Sequence, residues 1–296
     1  MRFTAWVVLL ATLALWSGNW IVARAVRDEI APGIATAGRL AIVLAMLLPF
    51  AARGLAAKLP RFSARDWKVV AALGFTGGGL HLALQWLGLH YTTATSGILY
   101  LSMSPVFILV MAAPLGERIG VRQWLGVAIS FCGVYLIATQ GRPAAPSFNI
   151  GDMMALASMM MWAGYTILLR VRRDALSTIE LLVMVCAFGA AFMTPWVAYE
   201  AAVDAKVQLT MWGALAVLYS AIGSLLLAYA GWSYVVRRLG AARAGVTLHL
   251  MPAMGVGLAA LLLGEYPRWF HFAGIALILA GVALSSLKAS SASSTR

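Results

Sequence analysis

Long apolar runs, separated by short polar, basic or Gly/Pro-containing breaks, set the pattern of this chain. Apolar stretches fall near residues 4–23, 34–52, 67–88, 93–114, 122–140, 151–170, 178–198, 210–235, 241–263 and 269–287. Each is near the length of about 20 residues that crosses a bilayer as an α-helix. Pro32-Gly33 precedes the second stretch, and Leu59-Pro60-Arg61 lies in the basic loop before the third. Gln140-Gly141-Arg142-Pro143 and Pro146 divide the chain near its middle. The pattern predicts an all-α membrane protein of ten transmembrane helices.

The second half repeats the first. Leu115-Gly116-Glu117, Gly126 and Gly133-Val134 recur as Leu263-Gly264-Glu265, Gly274 and Gly281-Val282, half of the 296-residue chain later. Gly97 and Gly245 keep the same offset. Pro105 and Pro252 miss it by one residue, and Trp16-x-Gly18 and Trp162-x-Gly164 by two. A unit with an odd number of spans enters the membrane from opposite sides in its two copies. The expectation is therefore two inverted five-helix repeats around a central cavity, over residues 1–141 and 150–288. A disordered cytoplasmic tail follows at 289–296. Inverted repeats are characteristic of secondary transporters, which expose one midplane site to each side in turn.

Composition agrees with a membrane bundle. Hydrophobic residues make up 62% and charged residues 11%, against about 45–50% and about 25% in an ordinary soluble domain. Mean hydropathy is +0.87. The spans leave no room for a soluble domain, so activity must sit within the bundle. Arg2 and the apolar run after it resemble a signal peptide, but the run reaches Ala23 and more spans follow. An uncleaved first helix is expected. Cys132 and Cys186 lie in apolar stretches without a CxxC or Cys/His neighbourhood, and are read as packing residues, not a disulfide or metal site. No cofactor is expected.

The net charge of +12 raises nucleic acid as a partner, but no nucleic-acid motif is present. Basic residues in loops on one side, facing anionic lipid headgroups, account for it. With a cytoplasmic N-terminus, inside segments hold Arg2, Arg53, Lys58, Arg61, Arg65, Lys68, Arg118, Arg122, Arg170, Arg172, Arg173, Arg237, Arg238, Arg243, Lys288 and Arg296. Outside segments hold only Arg24, Arg27, Arg142, Lys206 and Arg268. Both termini are therefore expected in the cytoplasm of a bacterial inner-membrane protein. Expected partners are a small-molecule substrate and membrane lipids, with no nucleic acid, and the chain is expected to be a monomer.

No enzyme constellation emerges. There is no HExxH, no GxSxG and no phosphate-cradling glycine loop, and acidic residues lie at span ends or in loops. Ser96, Ser102 and Ser104 read as packing or cavity-lining hydroxyls. Other polar groups lie at depth. His81 and Gln85 are four apart, so they share one helix face, and the repeat maps them onto Tyr229 and Ser233. Polar groups facing lipid are costly, so that face points either into a cavity or onto a neighbouring helix. Trp16, Asn19 and Trp20 in the first span answer to Trp162, Tyr165 and Thr166 in the sixth. Trp6 and Trp269 suit the interfacial belt. Trp16 and Trp162 lie about midway along their spans, where each needs a partner for its indole N–H. They read as an aromatic-lined cavity, against plain core packing.

Backbone-weakening residues cluster in the same segments. Gly77, Gly78 and Gly79 precede His81, and Pro105 and Pro252 interrupt the fourth and ninth spans. Breaks at equivalent positions of two repeats point to a transport site or its hinges. Glu117 and Glu265 read as helix-end anchors, with a gate salt bridge as the competing role. Arg39, inside the second span, has three candidate roles: to attract a substrate carboxylate, to reach headgroups, or to pair with Asp28 or Glu29.

Pro105, Leu115-Gly116-Glu117, Gly126 and Gly133-Val134, with their second-half counterparts, resemble the EamA-type branch of the drug/metabolite transporter superfamily. The resemblance covers nearly the whole chain. It implies ten helices, both termini inside, a central cavity, and export or exchange of small metabolites. Within the superfamily the chain looks most like bacterial aromatic amino-acid exporters, which carries lining roles onto Trp16, His81, Tyr100, Trp162 and Tyr165. Tyr100 breaks the symmetry, since its counterpart is Leu248. The reading is a non-enzymatic exporter of aromatic or hydrophobic amino acids working by alternating access. Trp16, Trp20, Tyr100, Trp162 and Tyr165 would supply apolar contact; Asn19, His81, Gln85 and Tyr229 would bind the polar end. Alternatives are a carrier of the same superfamily for another metabolite or drug, and a non-transporting membrane protein. Only His81 and His249 at depth titrate near neutral pH, so facilitated diffusion is expected ahead of proton exchange.

Overall fold

Helix-start signals and helix-spoiling residues divide the apolar runs into rods. The computed structural model describes residues 2–112, 120–142, 149–172, 174–203, 210–239 and 250–286. We number its helices α1 (Arg2–Ala25), α2 (Pro32–Lys58), α3 (Ala64–Tyr91), α4 (94–112), α5 (Val121–Ala138), α6 (Ile150–Val171), α7 (Thr178–Ala202), α8 (211–239), α9 (Leu250–Leu263) and α10 (Trp269–Ser286). Seven of them, α1 to α3 and α5 to α8, are long and apolar enough to cross a membrane. No strand occurs among the described residues. Leu115, Gly116, Glu117, Gly245, His249 and the tail from 289 lie outside the described residues. So do the side chains of Pro105 and Ser233.

The starts follow local chemistry. Ser63 and Ser177 each form a capping box, with Asp66 and Glu180. Thr93, Asn149 and Thr210 accept from backbone N–H groups of the first turns of α4, α6 and α8. Such caps satisfy donors that a helix start leaves orphaned. The start of α2 borrows its cap: the Glu200 carboxylate, from the end of α7, accepts from Gly33 N at 3.0 Å and Ile34 N at 2.9 Å.

Two helices are interrupted alike. α3 passes through a π-helical segment at Gly74–Leu80, and α8 through another at Ser220–Leu227. Residues 74 and 222 are separated by the repeat offset, so the interruptions fall at equivalent places. π-Helical turns are rare and concentrate at functional sites. α4 changes from α-helix to a 3₁₀ turn over Tyr100–Met103 just before Pro105.

Packing partners come in exchanged pairs. α5 packs on α10, and α2 on α7. α3 packs on α6 as α8 packs on α1; α4 packs on α6 as α9 packs on α1. The repeated glycines build the α5–α10 crossing. A Cβ on Gly133 would stand 2.5 Å from the Gly274 carbonyl oxygen, and one on Gly281 would strike the Gly126 carbonyl. Beside them the Ser130 hydroxyl donates to Ile278 O at 3.3 Å. Small residues allow this approach where no hydrophobic force drives helices together.

Candidate functional site

The glycine run before His81 is a place of close approach. A Cβ on Gly77 would meet the Tyr165 ring, and one on Gly78 would lie 2.5 Å from Val185 O. α3 therefore sits tight against α6 and α7 and delivers His81 to the interior. His81 Nδ1 lies 2.9 Å from both the carbonyl oxygen and the hydroxyl of Ser158. The Ser158 hydroxyl donates back to His81 O at 2.8 Å.

Around His81 the structure gathers four of the other sequence-nominated residues. Trp162 lies 5.2 Å from the imidazole, centroid to centroid, and stacks on Tyr165 at 5.4 Å. Tyr229 meets Trp162 edge-on at 6.4 Å and Trp16 edge-on at 5.8 Å. Trp232, which the sequence did not single out, joins Trp16 at 5.6 Å. The Trp16 indole N–H donates to Ser224 O, inside the π-helical segment of α8, at 3.1 Å. Rings from α1, α3, α6 and α8 thus form one cluster drawn from both halves of the chain.

A chain of polar groups runs alongside it. Asn19 donates to Gln85 Oε1 at 3.1 Å and accepts from the Ser220 hydroxyl at 2.6 Å. Ser220 in turn accepts from Arg39 Nη1 at 2.9 Å. Arg39 also donates to Leu82 O at 2.9 Å and to Thr36 Oγ1 at 3.4 Å, and its guanidinium lies 5.2 Å above the Trp86 ring. Arg39 is 1% exposed and its Nε has no hydrogen-bond partner among the described residues. It neither reaches the surface nor pairs with Asp28 or Glu29. Asp28 is bound to Arg27, and Glu29 accepts from Thr210. Of the three roles open in the sequence, two are thus not taken up. Arg39 was legible in the sequence as an ionisable group inside a span; Ser220, which the sequence did not single out, carries no such signal.

Trp20 and Tyr100 are placed away from the aromatic cluster. Trp20 is buried against Gly97 among Trp86, Leu89 and Ile98. Tyr100 is buried with Met103, Val134, Ala155 and Ile278, its hydroxyl near Asp152. Asp152 itself accepts from Thr92 at 2.5 Å. Among the hinge candidates, Gly77 to Gly79 lie in the π-helical segment. Pro105 follows the 3₁₀ turn, and Pro252 is in the first turn of α9.

At the end where α1 finishes, Arg24 pairs with Glu265 at 3.3 Å and donates to Leu89 O at 2.9 Å. The same carboxylate accepts from Thr95 N at 3.1 Å, at the start of α4. Glu265 is thus both helix cap and ion-pair partner. Two cavities open here. One of about 220 Å³ is lined by Arg24, Arg27, Asp28 and Glu265; another of about 290 Å³ by Thr95, Ser96, Tyr266, Arg268 and His271.

Known proteins supply the context for this arrangement. The EamA-like transporter family model matches residues 3–139 and 149–287. The chain belongs to the EamA-like transporter family. An uncharacterized transporter of Archaeoglobus fulgidus is 29% identical over 291 residues, covering 95% of this chain and 97% of the relative. A probable terminal-alkyne amino-acid exporter of Streptantibioticus cattleyicolor is 28% identical, covering 94% and 92%. A solved crystal structure aligns over 97% of both chains with a TM-score of 0.60 at 22% identity, a likeness of fold. This EamA-like protein is therefore a multi-pass membrane transporter, and its substrate is a small molecule.

Proposed function

We propose that this transporter exports aromatic or other large apolar amino acids across a bacterial inner membrane by alternating access. The observation that carries the reading is the ring cluster of Trp16, His81, Trp162, Tyr165 and Tyr229, beside the polar chain of Asn19, Gln85, Ser220 and Arg39. Along α1 and α3 the two sets are three to four residues apart, so about 4.5–6 Å along the axis. An amino acid with a large apolar side chain has the same polarity: a face for stacking at one end, hydrogen-bonding groups at the other. The amino-acid exporter among the relatives favours this class over nucleobases and drugs.

Exchanged packing and matched π-helical segments support ten spans arranged as two inverted repeats, over 1–141 and 150–288, around a central cavity. Gly77 to Gly79, Pro105 and Pro252 are its candidate hinges. The Lys/Arg distribution supports cytoplasmic termini. Movement down the substrate gradient is the expected energetics.

Flux from proteoliposomes tests the proposal. Protein-dependent release of phenylalanine or tryptophan, faster than that of a polar amino acid such as serine, is the expected result. Its persistence without a pH gradient supports facilitated diffusion. Preference for serine, or for a non-amino-acid solute, would redirect the assignment to another metabolite carried by the same fold.

A further inference from the structure

Arg39 is a permanent cation held inside the bundle with no carboxylate partner among the described residues. A guanidinium stays protonated in proteins, and an intramembrane charge is costly unless paired. Its neighbours are all neutral: Ser220, Thr36, the Leu82 carbonyl and the Trp86 face. The other carboxylates among the described residues have partners elsewhere. Glu265, Asp28, Glu180 and Asp174 are in ion pairs. Glu200 caps α2, Glu29 takes Thr210, Asp66 takes Ser63 and Asp152 takes Thr92. Arg39 Nε also has no hydrogen-bond partner among the described residues.

We propose that Arg39 is the carboxylate-recognition residue of the transport site, and that the anion of the substrate is its missing counter-ion. The assignment rests on the amino-acid transport reading and names the group that reads the substrate's acid end. Guanidinium geometry offers paired donors that match a carboxylate. Ser220 and Asn19 are positioned to rotate their hydrogen bonds toward the arriving oxygens. Tyr229 and Leu82 pack in one apolar cluster with Leu40, Ala221 and Leu225, which joins the Arg39 helix to the ring cluster. A carboxylate at Arg39 therefore directs the side chain of the same molecule toward Trp16, Tyr229 and Trp162. The chemistry selects α-carboxylates with a large apolar substituent and disfavours amines and amides of the same shape.

The test compares L-phenylalanine with L-phenylalaninamide, which keeps the ring and the ammonium group but lacks the carboxylate. Binding is measured on purified protein and flux in proteoliposomes. Wild-type protein is expected to prefer the acid by about tenfold or more, the scale of one charge-assisted hydrogen bond. Arg39→Gln is expected to weaken the acid by a similar factor while leaving the amide nearly unchanged, and Arg39→Lys to recover part of the loss. The wild-type comparison needs no variant, so it decides the matter even if Arg39→Gln does not fold. Equal wild-type affinity for the two probes, or an Arg39→Gln protein that keeps the acid preference, overturns the assignment and leaves the transport reading standing. If neither probe binds or crosses, the aromatic amino-acid reading falls, and this assignment with it.

Discussion

Trp16 and His81 each hold one polar atom on a backbone carbonyl of another helix, and their rings join one aromatic cluster through Trp162 and Tyr229. That arrangement fixes orientation while leaving the ring faces to aromatic neighbours. Trp162→Ala removes contacts to His81, Tyr165 and Tyr229. We expect it to weaken binding of an aromatic amino acid by about tenfold, since aromatic pairs contribute about 0.5–1.5 kcal/mol beyond area burial. His81→Ala is expected to do likewise. Equilibrium binding of radiolabelled phenylalanine to the purified variants checks both; unchanged affinity in both would remove the cluster from the site. Midspan position and four-residue spacing made most of these residues legible in sequence. Trp20 and Tyr100 share the chemistry but not the direction: Trp20 covers Gly97, and Tyr100 is buried on Met103 and Ile278. Residue type cannot tell these directions apart.

Helices carry a second set of constraints, most of them at crossings and ends. Gly133 and Gly281 admit the facing backbone of their partner helices, so Gly133→Val is expected to break the α5–α10 crossing. Size-exclusion chromatography should then show aggregation or loss of the main peak. Gly257→Ala is the control, since nothing lies within 4 Å of the added carbon. Glu200 shows the same logic at a helix end. Its carboxylate accepts from two N–H groups of α2 and from Trp196 Nε1 at 2.7 Å. Glu200→Ala leaves these donors unpaired, at a cost of about 1–3 kcal/mol. The expected readout is a lower melting temperature in detergent, with Glu29→Gln as an unrelated carboxylate substitution for comparison. The glycine repeat marked these helices in sequence. The π-helical segments were foreshadowed only at Gly77 to Gly79, because Ser220–Leu227 holds a single glycine and reads as an ordinary apolar run.

For the whole molecule, the arrangement sets what can move. The Arg24–Glu265 pair ties α1 to the loop before α10, and Thr95 ties the same carboxylate to α4. In an alternating-access cycle these contacts must part when that end opens. Glu265→Gln is expected to shift the population toward an open form at this end. A cysteine placed at Ser96, beside the adjoining cavity, should then react several-fold faster with a membrane-impermeant maleimide in intact cells. No change in rate would assign Glu265 to helix capping alone.

The sequence by itself determined the class, the apolar runs and the repeat, because bilayer thickness fixes span length and interfacial charge fixes which breaks are basic. It also supplied the family resemblance and most of the residues now found together. Tertiary structure decided which of them meet. Direction around a helix depends on where its partners lie, so only packing separated Trp16 from Trp20 and left Arg39 enclosed with no carboxylate partner among the described residues. It also placed a second π-helical segment at the repeat-equivalent position of α8, where the sequence reads as an ordinary apolar run.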